Sequence, residues 1–325
     1  TDAPRGRGPG DPGDRLSDMT RIVTVTLNPA VDLGCSAELV RPTHKIRTFD
    51  EHIDPGGGGI NVARVLHALR ADVLAVIAAG GVTGALIDEL LTEGGVPHLT
   101  VRCHGRSRIS YTVFDRATKE EYRFVPLGPV AEPHDWTETL SLLDKIQCEW
   151  LVASGSLEPG MPSDLYATIA RSARARGIRV AVDSSGAALR AALDAGIDLV
   201  KPSLTELESY AGRALPDPAD QEAEAMALVR TGRATMVAVT LGEAGAFLAS
   251  AEGVVRIPAI PVPFQGAVGA GDSFFAGLVW SLSQGHAPKE ALGWAIAAGS
   301  ATVARVGTAR VRLEDVMEFH AKLAA

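Results

Sequence analysis

Three cysteines, Cys35, Cys103 and Cys148, are all this chain carries, far apart and with no CxxC pair or neighbouring histidine pair. That scarcity argues against a disulfide framework and against a zinc site, and it fits a reducing, cytoplasmic setting. Long apolar runs are missing too: stretches such as VLAVIAAGG from Val73 are far shorter than a membrane span requires. The opening residues lack the basic-then-apolar order of a secretory signal. Basic charge is also in short supply, with 31 Lys and Arg against 39 Asp and Glu and a formal net charge of -8. A nucleic-acid backbone is held mainly by clustered cations, so neither nucleic acid nor membrane is an expected partner. Any phosphate group must be held locally.

The 325 residues, 46% hydrophobic and 22% charged, suit a globular protein with one large core. Residues 1–20, TDAPRGRGPGDPGDRLSDMT, have too few apolar groups to offset their ordering entropy by burial, and are expected to form a disordered tail. From there residues 21–325 form one domain in which short β-branched runs alternate with amphipathic segments: RIVTVTL, INVARVLHALR, VLAVIAAG, TGALIDELLTEG. The rhythm resumes at WLVAS (Trp150 to Ser154), IRVAVDSS and DLVKPS. Runs so uniformly apolar are buried on both faces, which predicts an α/β fold with a mainly parallel sheet flanked by helices.

Two stretches, about 33–55 and 103–126, instead alternate polar and apolar residues like half-exposed antiparallel hairpins, and predict a small β-sheet lid. The last third, from Ala270, reads as three consecutive helices.

The sharpest chemical signal is AVGAGDSFFAGLVWSL, a glycine-rich turn running into a helix. Gly269, Ala270 and Gly271 let backbone N–H groups converge where a helix start adds its partial positive charge, which makes an anion hole. Asp272 lies in the first turn. A carboxylate there either caps the helix or removes a proton from a hydroxyl attacking the anion. A second glycine run, Gly56 to Gly59, precedes a helix from Ile60 and sets backbone amides and Asn61 against a ligand.

Together GAVGAGDSFFAG and DPGGGGINVARVLHALR resemble the two signatures of the ribokinase-like (PfkB-type) carbohydrate kinases, and the similarity runs from Arg21 to about Leu323. The resemblance implies a ribokinase-like fold, ATP as co-substrate, Mg²⁺, and Asp272 as catalytic base with Gly269, Ala270 and Gly271 holding the transferred group. It implies a sugar site containing Asp32, Gly56, Gly57, Gly58, Asn61, and Ser154 with Ser156 in SGSLEPG. Asp32 is read as ending the first strand. Lys45 and Arg108 fall in the two lid stretches, where basic groups suit a sugar phosphate. On the nucleotide side it implies Lys201, Thr240, Gly242 and Gly245, with Ala298 and Gly299 near the adenine. One position departs from the pattern. The family usually has an Asn and a Glu after the Lys-Pro; here the spacing survives as Ser203 and Glu206. Glu206 is then expected to reach Mg²⁺ through water, with an altered metal response.

TVTLNPAVD, GGGGINVAR and AVDSSGAAL resemble the phosphosugar branch, closest to its ATP-dependent 6-phosphofructokinases. Fructose-1-phosphate and tagatose-6-phosphate kinases typically carry a lysine where this chain has Gly58, so fructose 6-phosphate is the expected acceptor and those two activities are the alternatives. A non-catalytic sugar or nucleotide sensor is a further reading, supported only by the lost Asn. A dinucleotide oxidoreductase does not fit, because no GxGxxG follows the first strand. The hairpins also resemble the surface through which relatives pair, implying a homodimer.

Overall fold

Apolar runs and amphipathic segments alternate because each strand here is covered on both sides. The computed structural model describes residues 20–324. The expected tail lies outside them except for Thr20, which already pairs with Cys148 in the first strand. The chain opens with β1 (Thr20–Thr26), β2 (Ala30–Ala37), β3 (Thr48–Gly56), α1 (Gly58–Ala68), β4 (Val73–Ala79), α2 (Gly81–Glu93) and β5 (His98–Arg102). It continues through β6 (Arg108–Asp115), β7 (Glu121–Phe124), α3 (Pro133–Leu143), β8 (Cys148–Ser154), α4 (Leu165–Ala175), β9 (Arg179–Asp183) and α5 (Gly186–Ala195). Then follow β10 (Ile197–Val200), α6 (Leu204–Ala211), α7 (Pro218–Arg230), β11 (Ala234–Thr240), β12 (Ala246–Ser250) and β13 (Gly253–Ile257). Three helices close the chain: α8 (Ala270–Ser283), α9 (Pro288–Val303) and α10 (Leu313–Ala324).

Nine strands form one sheet in the order β13-β12-β11-β10-β9-β8-β1-β4-β5. It is parallel from β5 to β11 and antiparallel only at β12 and β13. Successive side chains point to opposite faces. Ile22, Ile77 and Trp150 therefore join the core beneath α1, α8 and α9, whereas Val25, Val76 and Leu151 join the one beneath α4 and α5. Each fully buried side chain of this size contributes about 1.5–3 kcal/mol. Helices α8 and α9 approach closely because α8 presents Gly277, where a Cβ would lie 2.8 Å from Trp294 O. The strand order reverses between β1 and β8, and open α/β sheets bind ligands outside the carboxyl ends of strands at such a switch.

The two alternating stretches supply a separate four-stranded sheet, β3-β2-β6-β7. Each hairpin is antiparallel, but β2 and β6 pair in parallel, which the local pattern does not reveal. Register sorts this sheet into two faces. Ile53, Leu33, Tyr111 and Phe124 are consecutive cross-strand neighbours in one row, and Ile53, Tyr111 and Phe124 are exposed. In the next row Asp54, Asp32 and Ser110 are neighbours.

Candidate active site

Helix α8 begins abruptly because Gly269 adopts φ 79°, and a Cβ there would lie 2.7 Å from Ala309 N. The Ala270 N–H turns back to Ala267 O at 3.1 Å, so it is not among the free amides expected there. Gly271 and Asp272 N–H have no backbone partner among the described residues, as first-turn amides should. They stand where the helix start gathers its partial positive charge.

Asp272 Oδ2 accepts from Asn61 Nδ2 at 2.8 Å, which joins the two glycine signatures physically. Burial pushes the Asp272 carboxyl above its ordinary range against the pull of Asn61, Lys201 and Arg123. On one side of it lies a cavity of about 210 Å³ lined by Asp32, Asn61, Arg108, Ser110, Thr112, Arg123, Gly57, Gly58 and Gly155, among others. Arg108, Ser110 and Thr112 reach it together because alternate residues of β6 share a face.

Asp32 does not end the first strand; it lies within β2 of the small sheet. Its carboxyl is pushed up to about 6, first by burial and then by Asp54, with Arg108 pulling the other way. Gly56 and Gly58 permit close approach: a Cβ at Gly56 would lie 2.2 Å from Asp32 Oδ2, and one at Gly58 would lie 2.4 Å from Ser154 Oγ. Helix α1 starts at Gly58 rather than Ile60. Arg108 donates to Pro126 O and to Asn28 O, both at 3.0 Å, while its Nε is buried without a partner. Ser154 Oγ and Asn61 Oδ1 are likewise buried and unpartnered. Ser156 instead accepts from Asn28 Nδ2 at 3.1 Å.

Against the start of α8 lies a second cavity, of about 600 Å³, bordered by Thr240, Gly242, Gly245, Ala270, Gly271 and Gly299. Its walls include Ile260, Val262, Phe264, Phe274, Ile296 and Val303. Ala298 is not part of it; fully buried, it packs against Gly277 in the core. Lys201 stands near the junction, since a Cβ at Gly271 would lie 3.6 Å from its Nζ. It pairs with Asp183 at 3.2 Å. Burial alone would lower the Lys201 ammonium, but Asp183, Asp272 and Glu206 overcome it and keep the charge in place. Burial in turn pushes Asp183 up to about 7, against the pull of Lys201.

Ser203 caps α6 in a reciprocal pair. Glu206 N donates to Ser203 Oγ at 3.3 Å, and Ser203 N donates to Glu206 Oε2 at 2.7 Å. Ser203 Oγ also donates to that oxygen at 2.9 Å. The other oxygen, Glu206 Oε1, has no hydrogen bond among the described residues, so the side chain is oriented through one oxygen alone. Lys45 is exposed on the connection between β2 and β3 and lines neither cavity. Arg123 and Asp183 are the members of this constellation that reading the sequence missed.

An acid held between a small polar cavity and a larger apolar-walled one, beside helix-start amides and a buried lysine, is the layout of a phosphotransferase acting on a small hydroxylated molecule. The chain belongs to the pfkB family of carbohydrate kinases, whose model matches residues 25–315. It is 38% identical over 302 residues to the ATP-dependent 6-phosphofructokinase isozyme 2 of Mycobacterium tuberculosis, covering 92% of this chain and 88% of that one. With the Escherichia coli protein of the same name it shares 36% over 307 residues, covering 94% and 99%. Among solved structures, the phosphofructokinase-2 from Escherichia coli in complex with fructose-6-phosphate matches with a TM-score of 0.89 at 35% identity, covering 94% of this chain and 100% of that one. The chain is an ATP-dependent sugar kinase.

Proposed function

We propose that the protein transfers the γ-phosphate of ATP to fructose 6-phosphate, forming fructose 1,6-bisphosphate. The observation that carries this reading is the pair of arginines, Arg108 and Arg123, lining the same small cavity as Asp32 and Asp272. A neutral sugar gives two guanidinium groups nothing to neutralise, whereas a phosphorylated one does. The names of the relatives agree. A 1-phosphofructokinase of Haloferax volcanii, 34% identical over 297 residues, keeps that activity as the second reading. Gly58 favours the first, because any side chain there would displace Ser154 Oγ.

In this mechanism Asp272 takes the proton of the attacking hydroxyl, with Asn61 fixing which oxygen faces it. Gly271 and Asp272 N–H, with Lys201, stabilise charge on the group in transit. Asp32 accepts from sugar hydroxyls, and Gly56, Gly57 and Gly58 let the sugar lie against backbone. Glu206 is the residue that would hold Mg²⁺ through water, and the ion when bound would supply charge neutralisation to the transferred group.

The small sheet acts as the lid over the sugar, limiting water at the reaction. Its outer row, Ile53, Leu33, Tyr111 and Phe124, is the surface through which two copies would pair. Among the described residues no helix is long and apolar enough to cross a membrane, in keeping with a cytoplasmic enzyme. A coupled ADP-release screen over fructose 6-phosphate, fructose 1-phosphate, tagatose 6-phosphate, ribose and adenosine tests the reading. Preference for any acceptor but fructose 6-phosphate overturns it.

A further inference from the structure

A third cavity, of about 870 Å³, opens behind the sugar-side glycine loop and shares no lining residue with the two that flank the start of α8. Its walls come from the end of β3, from α1, from the C-terminal end of α2, and from the segment joining α9 to α10. Four arginines line it, Arg64, Arg305, Arg310 and Arg312, together with His67, against the two acids Asp54 and Glu93.

The local charge does not balance. Asp54 is buried, and its Oδ1 accepts from Arg64 Nη2 at 3.0 Å and from Arg310 Nε and Nη2 at 3.1 and 2.9 Å. One carboxylate thus serves two guanidinium groups. Arg64 is spent on it, on Pro55 O at 3.2 Å and on Thr308 O at 2.9 Å. Burial pulls the Arg64 guanidinium below its ordinary range, and Arg310 adds to that pull against Asp54. Arg305 is matched by Asp315 at 2.6 Å, but Arg310 and Arg312 are exposed, and the Arg312 side chain has no hydrogen bond or ion pair among the described residues. Surplus cationic charge at the wall of a concave site attracts an anion, and the guanidinium fork matches a phosphate.

We infer that this cavity binds a small hydroxylated phosphomonoester, its phosphate on Arg310 and Arg312 at the mouth beside Arg305. Glu93, on the α2 side, accepts from a hydroxyl of the same ligand and disfavours a second anionic group. The volume exceeds what a bare phosphate fills. The site is one carboxylate away from the sugar loop: Asp54 also accepts from Thr308 N at 3.3 Å, and the neighbouring Ala309 packs on Gly269.

Glycerol 3-phosphate titrated calorimetrically into the full chain tests this assignment. Saturable binding is expected, weakened about tenfold or more in Arg312→Ala and in Arg310→Ala, as losing a charge-assisted hydrogen bond should do. Arg108→Ala, at the sugar site, should leave it unchanged. Melting temperatures confirm that the cavity variants remain folded; Arg312→Ala, exposed, serves if Arg310→Ala does not. Absence of saturable binding, an affinity indifferent to the cavity variants, or a loss confined to Arg108→Ala overturns the assignment.

Discussion

The two cavities that flank the start of α8 are built from different chemistry. The smaller is walled by charge, with Asp32, Asp272, Arg108 and Arg123 on hairpins and glycine turns. The larger is walled by Ile260, Val262, Phe264, Phe274 and Ile296, with backbone and hydroxyl groups at its border. An apolar wall separates ligands differing by a methylene by only about 1–3 kcal/mol, whereas buried polar groups left unpaired by the wrong ligand reject it far more steeply. Discrimination therefore belongs to the sugar side, and tolerance to the nucleotide side.

The largest effect should come where the two sides touch. Asp272→Asn preserves size but removes the basic oxygen, so turnover should fall by about a hundredfold or more while ATP still binds. Steady-state kinetics with ATP-binding calorimetry checks this; turnover within a few-fold of the parent would remove Asp272 as the base. Next comes the asymmetry itself. Arg108→Ala should raise KM for fructose 6-phosphate by roughly tenfold or more with KM for ATP hardly moved, since a hydrogen bond to a charged group is worth about 1.5–3 kcal/mol. Equal increases in both would erase the contrast between the cavities.

A smaller effect concerns what the polar side costs the fold. Because the Asp32 carboxyl is pushed up to about 6 in the folded chain from an ordinary 3.8, the folded state binds the proton more tightly. Its contribution to stability is complete below 3.8 and is lost as pH rises through about 6. Asp32→Asn, which cannot ionise, should be more stable than the parent at pH 7 by roughly 1–3 kcal/mol, and the gap should close toward pH 4. Denaturant midpoints at several pH values measure this; a variant less stable at every pH would contradict it. The smallest effect lies at the nucleotide edge. Ser203→Asn should lower the Mg²⁺ concentration for half activity by a few-fold, roughly the scale of one hydrogen bond, and Glu206→Gln should raise it. Metal titrations unmoved by either change would remove Glu206 from the metal's surroundings.

How much of this was legible follows the range of the interactions. The buried parallel strands announce themselves as apolar runs, and the glycine turns fix Asp272 and Asn61 because backbone geometry there tolerates little else. Arg123 carries no such mark: one arginine in an alternating strand looks like any solvated side chain until β7 is paired with β6. Asp183 stood in a stretch already singled out, AVDSSGAAL, but its ion pair with Lys201 joins the ends of two strands and has no local trace. Ser203 had the opposite fate. The Ser-x-x-Glu spacing of a capping box was in plain view, and the pair was read only through the metal. Lys45 was singled out by charge and segment, and neither encodes distance.

Strands β2 and β6 are the central partners of the small sheet, yet Ala30 pairs with Arg108 and both strands between β3 and β6, β4 and β5, belong to the other sheet. Loop-closure entropy opposes such a pairing until the intervening chain has condensed. The small sheet is therefore expected to assemble after the large one. In pulse-labelled hydrogen exchange, amides of β2 and β6 should gain protection after those of β1 and β4; simultaneous protection would mean the two sheets nucleate together. A refolding chain would thus possess its large sheet before any means of choosing a substrate, and specificity would arrive only as the final act of folding.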